Sequence, residues 1–376
     1  MLPIPRRFYS LDVLRGVAAL SVVLWHWQHF FIPLNPLGVT FSADKQPLFE
    51  FLFVFYKFGF YAVQLFFCLS GFIFFWLYSK RIAEKTISLR TFSILRLSRL
   101  YPLHFATLIF VAIGQLVYTN ITNSHFVYSL NDTYHFLLNL LFASSWGLEK
   151  GYSFNAPIWS VSVEVLMYGI FFLFCRIFNR NIIAVLCAIV IGHFFVSKLN
   201  GSIANGFECF FLGGFVFIAY EKIITARDKW KLSIWLPYLT FVAWLVTIVV
   251  ISSNNDFIHR ELPWIVQKIV SVWPIFILFP MTIMSLVLLE TKRGFLGKRL
   301  SFIGDISYSS YLLHFPLQLV VAIVTAKLAI SQTLFYSPWF MIIFYFVLVL
   351  TSLASHHYFE IPMQRILRVK ANPPIN

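Results

Sequence analysis

The chain has 376 residues, 59% of them hydrophobic and 12% charged, with a formal net charge of +14. At a mean hydropathy of +0.79 it is too apolar for a soluble domain, in which about 25% of residues are charged, so a bilayer is the expected solvent. The basic residues fall in short clusters between apolar runs and not along one face. That pattern argues against a nucleic-acid partner and fits a membrane protein oriented by cytoplasmic Lys and Arg, which can also hold an anionic cosubstrate.

Apolar runs of about 20 residues occupy roughly 11–32, 51–78, 100–119, 157–175, 181–199, 204–221, 232–252, 263–290, 306–328 and 338–359. They predict an all-α, polytopic bundle of about ten transmembrane helices with both termini cytoplasmic. The alternation of charge agrees with an even count. Arg6/Arg7, Lys80–Arg99, Arg176/Arg180, Lys222–Lys231, Lys292–Arg299 and Arg365–Lys370 hold 21 of the 29 Lys and Arg; the opposite loops hold Lys45, Lys150, Lys198, Arg260 and Lys327. The run 134–146 is too short to cross and is expected to be re-entrant or interfacial. The first run ends in Trp25-His26-Trp27-Gln28-His29 and lacks a signal-peptide cleavage site. The expectation is a single membrane domain over 1–376 with no appended soluble domain. Cys68, Cys175, Cys187 and Cys209 have no CxxC spacing and read as buried thiols.

Ionisable groups inside spans are costly and therefore functional candidates. The first run carries Asp12, Arg15 and His26. Arg15 and His26 are eleven residues apart, which on an α-helix puts them on one face, separated by roughly 16 Å; Asp12 is one turn from Arg15 and can pair with it. Alternatively, Arg15 snorkels and His26 is interfacial. Arg96 and Arg99, at a predicted helix start before Tyr101-Pro102, can clamp a phosphate or serve only as a topology signal. In Asn155-Ala-Pro-Ile-Trp159-Ser160-Val-Ser162-Val-Glu164, Pro157 suits a first helical turn. Glu164 enters from the outer side at a depth comparable to His26, where a carboxylate can orient an imidazole; it can equally just tie two helices. Ser307, Tyr311 and His314 share a face at the start of the ninth span, beside Tyr308, and can serve as interhelical hydrogen-bonding groups. Glu360 reads as a cap or ion-pair partner of the basic tail. His29, His125, His135, His193 and His259 read as structural or solvated, His356-His357 as a poor metal pair, and no metal site is expected. No metalloprotease, P-loop, nucleophile-elbow or dinucleotide motif is present.

Taken in order, these motifs resemble the acyltransferase-3 group of transmembrane acyltransferases. Leu11-Asp12-Val13-Leu14-Arg15-Gly16 through His26 is similar to the family's opening Arg, ten residues, His. Phe66-Phe67-Cys68-Leu69-Ser70-Gly71-Phe72 resembles its second-span signature. Arg96 to Pro102, Trp159 to Glu164, Ser307 to Pro316 and Glu360 to Pro362 complete the set. One departure is Val165, where the family often has a second acid; this makes Glu164 the carboxylate to watch.

The resemblance implies an O-acetyltransferase of bacterial surface glycans in the inner membrane, with acetyl-CoA as cosubstrate and no tightly bound cofactor. It implies His26 as general base or transient acyl acceptor, with Glu164 orienting it and Arg15 assisting. It implies Arg96, Arg99, Tyr308, His314 and Asp12 along the donor route, and Trp159 and Ser160 toward the acceptor. Exopolysaccharide, lipopolysaccharide O-antigen, capsule, a peptidoglycan sugar or a small glycoside all fit as acceptor. Membrane lipids and polysaccharide biosynthesis or export proteins are the expected partners. The rival readings are a transporter or flippase for a glycan or lipid-linked sugar and a subunit of an export complex.

Overall fold

The computed structural model describes residues 4–32, 41–226, 234–252 and 271–371. His259, Arg260, the start of the 263–290 run, and Arg227, Lys229 and Lys231 of one basic loop lie outside them. The described residues form helices and no strand. In chain order they are α1 (Tyr9–Trp25), α2 (Phe49–Phe58), α3 (Tyr61–Phe74), α4 (Leu89–Thr122), α5 (Thr133–Leu140), α6 (Trp159–Phe178), α7 (Ile182–Ile191), α8 (Gly201–Thr225), α9 (Leu236–Ser252), α10 (Phe279–Arg293), α11 (Ser307–Lys327), α12 (Pro338–Ser355) and α13 (Ile361–Ala371).

With their flanking turns included, eight helices are long and apolar enough to cross a bilayer, so this is a multi-pass membrane protein. The apolar runs starting at 11 and 232 are carried by α1 and α9, of 17 residues each. Two boundaries differ from the sequence expectation. The 51–78 run is broken between α2 and α3 at Gly59, where a Cβ would collide with the Phe55 and Ser21 carbonyl oxygens and Trp25. The 100–119 run belongs to a 34-residue helix that begins at Leu89 and contains Pro102. Its start is fixed by Ser88, whose Oγ accepts the Thr91 N–H at 3.1 Å, so Arg96 and Arg99 lie in its second and third turns. The segment 134–146 contains the eight-residue α5, capped by Asp132.

By internal contacts the described chain divides into two compact units, Met1–Ala18 with Phe60–Thr86 and Phe172–Gly304, and Ala19–Gly59 with Ile87–Phe171 and Asp305–Asn376. In the first, α3 and α8 pack so closely that Gly71 and Gly213 each face backbone of the other helix: a Cβ on Gly71 would enter the Phe210 carbonyl oxygen, and one on Gly213 that of Cys68. Phe8, Phe72, Trp76 and Tyr220 stack edge-on beside this crossing. The fully buried Glu290 caps α1, accepting the Tyr9 N–H at 2.9 Å, the Ser10 N–H at 2.9 Å and the Ser10 hydroxyl at 2.6 Å.

In the second unit, α11 packs between α4 and α12. One core gathers Trp27, Phe30, Phe335 and Phe344, and another Leu108, Val111, Phe126, Phe315 and Leu319. The basic tail has a packing role here: the Arg368 guanidinium, on α13, donates to Ser98 Oγ and the Leu95 carbonyl, each at 3.2 Å.

Candidate active site

After Trp25 the backbone tightens into a 3-10 stretch, His26–Phe31. In a 3-10 helix, residues three apart eclipse, and His26 and His29 accordingly stack ring on ring at 4.6 Å. The His314 ring of α11 lies edge to edge with that of His26, ring centroids 5.0 Å apart and 7° between the planes. Two stacked imidazoles and a third joined edge-on thus form a pile with His26 in the middle. His29 is 4% exposed and His314 0%, whereas His26 is partly exposed. His26 is the most exposed of the three.

The hydrogen bonds fix the protons. His314 Nδ1 is 2.6 Å from the Tyr311 carbonyl oxygen. A carbonyl only accepts, so Nδ1 carries the proton and, in the neutral ring, Nε2 is a lone pair. That lone pair faces His26 Nδ1 at 2.9 Å, so His26 Nδ1 donates and its Nε2 is left as a base. Gln318 pins the same segment, donating Nε2 to the His26 carbonyl oxygen at 2.9 Å and placing Oε1 at 3.1 Å from His29 Nδ1. The second nitrogen of His29 meets the Tyr128 hydroxyl at 3.2 Å; burial pushes the Tyr128 phenol up, which keeps it a donor.

The hydrogen bond orienting His26 therefore comes from His314, where the sequence pointed to Glu164. The Glu164 carboxylate is hydrogen-bonded to the Tyr168 hydroxyl one turn along α6. Arg96 and Arg99 lie within Coulombic range of Tyr168, and Glu164 and Arg99 within range of Tyr308. Tyr308 donates its hydroxyl to the Leu100 carbonyl at 2.6 Å, anchoring α11 to α4. Arg96, 8% exposed, is more buried than a lipid-facing topology signal requires. The result is a partly buried cluster of two cations, a carboxylate and two phenols.

Asp12 and Arg15 belong to the first unit. Asp12 pairs with Arg15 at 3.2 Å and with Arg7 at 2.6 Å, and Arg15 also donates to the Gly304 carbonyl oxygen at 2.7 Å. Ser160 is occupied inside the protein, bonded to the Tyr311 hydroxyl at 2.7 Å; Trp159 opens α6 beside it. Ser162 fastens the 141–158 loop, donating to the Phe142 carbonyl oxygen and accepting the Ser145 N–H. Glu360 accepts the Ser309 and Ser355 hydroxyls at 2.5 and 3.0 Å, an interhelical tie.

Three contributors escape the sequence reading: His29, Gln318 and Tyr128. His29 follows His26 by three, a signal visible only if the stretch is known to wind as 3-10. Tyr128 sits in a loop and carries no local signal. Among the described residues no group of three or more His, Cys, Asp or Glu could hold a metal ion.

Three imidazoles with one unpaired ring nitrogen, in the same unit as a partly buried cationic cluster, are suited to removing a proton from a hydroxyl while an anionic cosubstrate is held by that unit. The comparisons with known proteins agree with acyl transfer. The acyltransferase domain profile of the acyltransferase-3 family matches residues 8–355. The chain is 37% identical over 108 residues to "Protein 2 in picA locus" of Rhizobium radiobacter, 29% of this chain and 46% of that protein. It is 32% identical over 178 residues to "Acyltransferase MdmB" of Streptomyces mycarofaciens, 46% of this chain and 41% of that protein. The matched stretches thus span less than half the length of these relatives. No solved structure matches. With a profile match over nearly its whole length, the chain belongs to the acyltransferase-3 family.

Proposed function

We propose that the protein is a membrane O-acyltransferase that moves an acetyl group from cytoplasmic acetyl-CoA to a hydroxyl of a surface polysaccharide or related glycan. The observation that carries this reading is the proton arrangement of the histidine pile, which leaves His26 Nε2 as a basic lone pair on its one partly exposed ring. His26 takes the acceptor hydroxyl's proton as that oxygen attacks the thioester carbonyl. The C–S bond breaks, and the proton passes to the departing thiolate to give free coenzyme A. His314 and Gln318 hold the ring in place, and His29 backs it.

Arg96 and Arg99 bind the phosphates of the donor, with Glu164 and Tyr168 fixing the guanidinium groups. The distribution of Lys and Arg supports an inner-membrane placement with both termini cytoplasmic. Partners in polysaccharide biosynthesis or export would supply the acceptor.

The test is radiolabelled acetyl-CoA with the purified protein, together with mass spectrometry of surface glycans from a deletion strain. The wild-type gene restores the acetyl increment; His26→Ala does not, although the variant stays in the membrane. Normal acetylation by His26→Ala would overturn the mechanism.

A further inference from the structure

Tyr152 stands between α5 and α6, in the second unit, and is 54% exposed. The backbone around it is held. Lys150 donates its N–H to His135 Nε2 at 3.2 Å. The Ser153 hydroxyl accepts the Asn139 side-chain amide at 3.0 Å, and Phe154 donates its N–H to Asn131 Oδ1 at 2.7 Å. Ser153 and Phe154 are themselves buried. An exposed ring is thus carried on a segment pinned at both ends.

The same clamp sets that ring against the histidine site. Asn131 also donates to the Tyr128 carbonyl oxygen at 2.7 Å, which draws the two loops together, and the Tyr128 and Tyr152 ring centroids lie 6.0 Å apart. The Tyr128 hydroxyl in turn meets His29, which stacks on His26. A row of touching rings therefore runs from an exposed phenol to the candidate base. Tyr152 also lies within Coulombic range of Tyr311, whose carbonyl oxygen holds His314. An aromatic residue that only marks the lipid boundary needs neither contact.

The face of a phenol carries partial negative charge and attracts polarised C–H bonds. A sugar ring offers such bonds on its less hydroxylated face. Tyrosine gives up little conformational freedom on binding, and a backbone already fixed lowers the cost further. The adenine of coenzyme A is also flat, but it travels with the phosphates. The Tyr128 loop is fastened to Gln115, which accepts the Phe126 N–H at 3.0 Å and donates to its carbonyl oxygen at 2.9 Å. Gln115 is roughly 24 Å along α4 from Arg99, so the ring stands far from the arginines assigned to the donor.

Resting on the acyl-transfer reading above, we propose that Tyr152 is the platform on which a sugar ring of the acceptor stacks while its hydroxyl reaches His26. The residue binds the sugar and favours acceptors whose ring shows a C–H face.

The experiment uses the purified full-length chain, radiolabelled acetyl-CoA and surface glycan isolated from the deletion strain. Tyr152→Ala should raise KM for the glycan about tenfold. Its KM for acetyl-CoA should stay near that of wild type, and its melting temperature within about 2 °C. Tyr152→Phe and Tyr152→Trp, which keep an aromatic face, should hold KM for the glycan within about threefold of wild type. Tyr152→Leu keeps apolar bulk without that face and should be as poor as Tyr152→Ala. A wild-type KM for the glycan in Tyr152→Ala overturns the platform. So does a matching rise in KM for acetyl-CoA, which would put the donor on the ring. Full recovery by Tyr152→Leu, or a loss that follows melting temperature, marks a packing role and overturns it too. If the wild-type chain itself transfers no acetyl to the glycan, the acyl-transfer reading falls, and the platform with it.

Discussion

His314→Ala separates two roles for a residue that the sequence placed along the donor route and the structure places against the catalytic candidate. The substitution removes the acceptor 2.9 Å from His26 Nδ1. Leaving a buried donor without a partner costs about 1–3 kcal/mol, a factor of about 5 to 150 in rate at ~1.4 kcal/mol per decade. The imidazole is then also free to move its proton to Nε2, which blocks the base; a wrong tautomer in a serine-protease triad lowers kcat by about 10⁴. We expect kcat for acetyl transfer to fall between about 10² and 10⁴-fold, with KM for acetyl-CoA nearly unchanged. His314→Gln, whose side-chain oxygen can accept from His26, should recover at least part of that loss. Because His314 is fully buried, melting in detergent is measured alongside. A kcat within threefold of wild type would refute the reasoning, and so would a loss confined to KM for acetyl-CoA, which would return His314 to the donor route.

Arg96→Ala and Arg99→Ala should each raise KM for acetyl-CoA about tenfold, the value of one charge-assisted phosphate contact, and a steady-state assay with varied donor checks this. Gly213→Ala should destabilise the first unit by about 3 kcal/mol or more, since the added carbon meets the Cys68 carbonyl and not a side chain that can move; chemical denaturation in detergent reads it. The Asp132 carboxyl is held below the usual range by hydrogen bonds from the His135 backbone N–H and side chain. Its stabilisation is therefore present at neutral pH and is lost as pH falls through its lowered value. Wild type and Asp132→Ala should melt apart at pH 7 and converge in acid, and a constant gap would contradict this.

Much of the helical frame was legible because the bilayer imposes it: each apolar run that falls within the described residues carries a helix. The pairing of Asp12 with Arg15 was legible too, as a matter of spacing on one helix. What was hidden are partners chosen across helices. Nothing local to His26 says that its neighbour is His314, 288 residues away, and not Glu164, whose nearer partner Tyr168 sits at i+4. The start of α4 was misplaced for a different reason. Its cap, Ser88, lies among basic residues that read as a cytoplasmic loop, although the hydroxyl at that position was itself a usable start signal.

The pitch of six residues after Trp25 has a consequence of its own. In an α-helix, positions 26 and 29 would diverge by about 60° around the axis; the tighter winding erases that angle and lays one ring over the other. The Trp27 indole, bonded to the Phe335 carbonyl at 2.9 Å, braces this winding. A substitution at Trp27 that let the segment relax would swing His29 away from His26 and weaken turnover with every imidazole still present, so the backbone's torsion is itself a part of the catalyst.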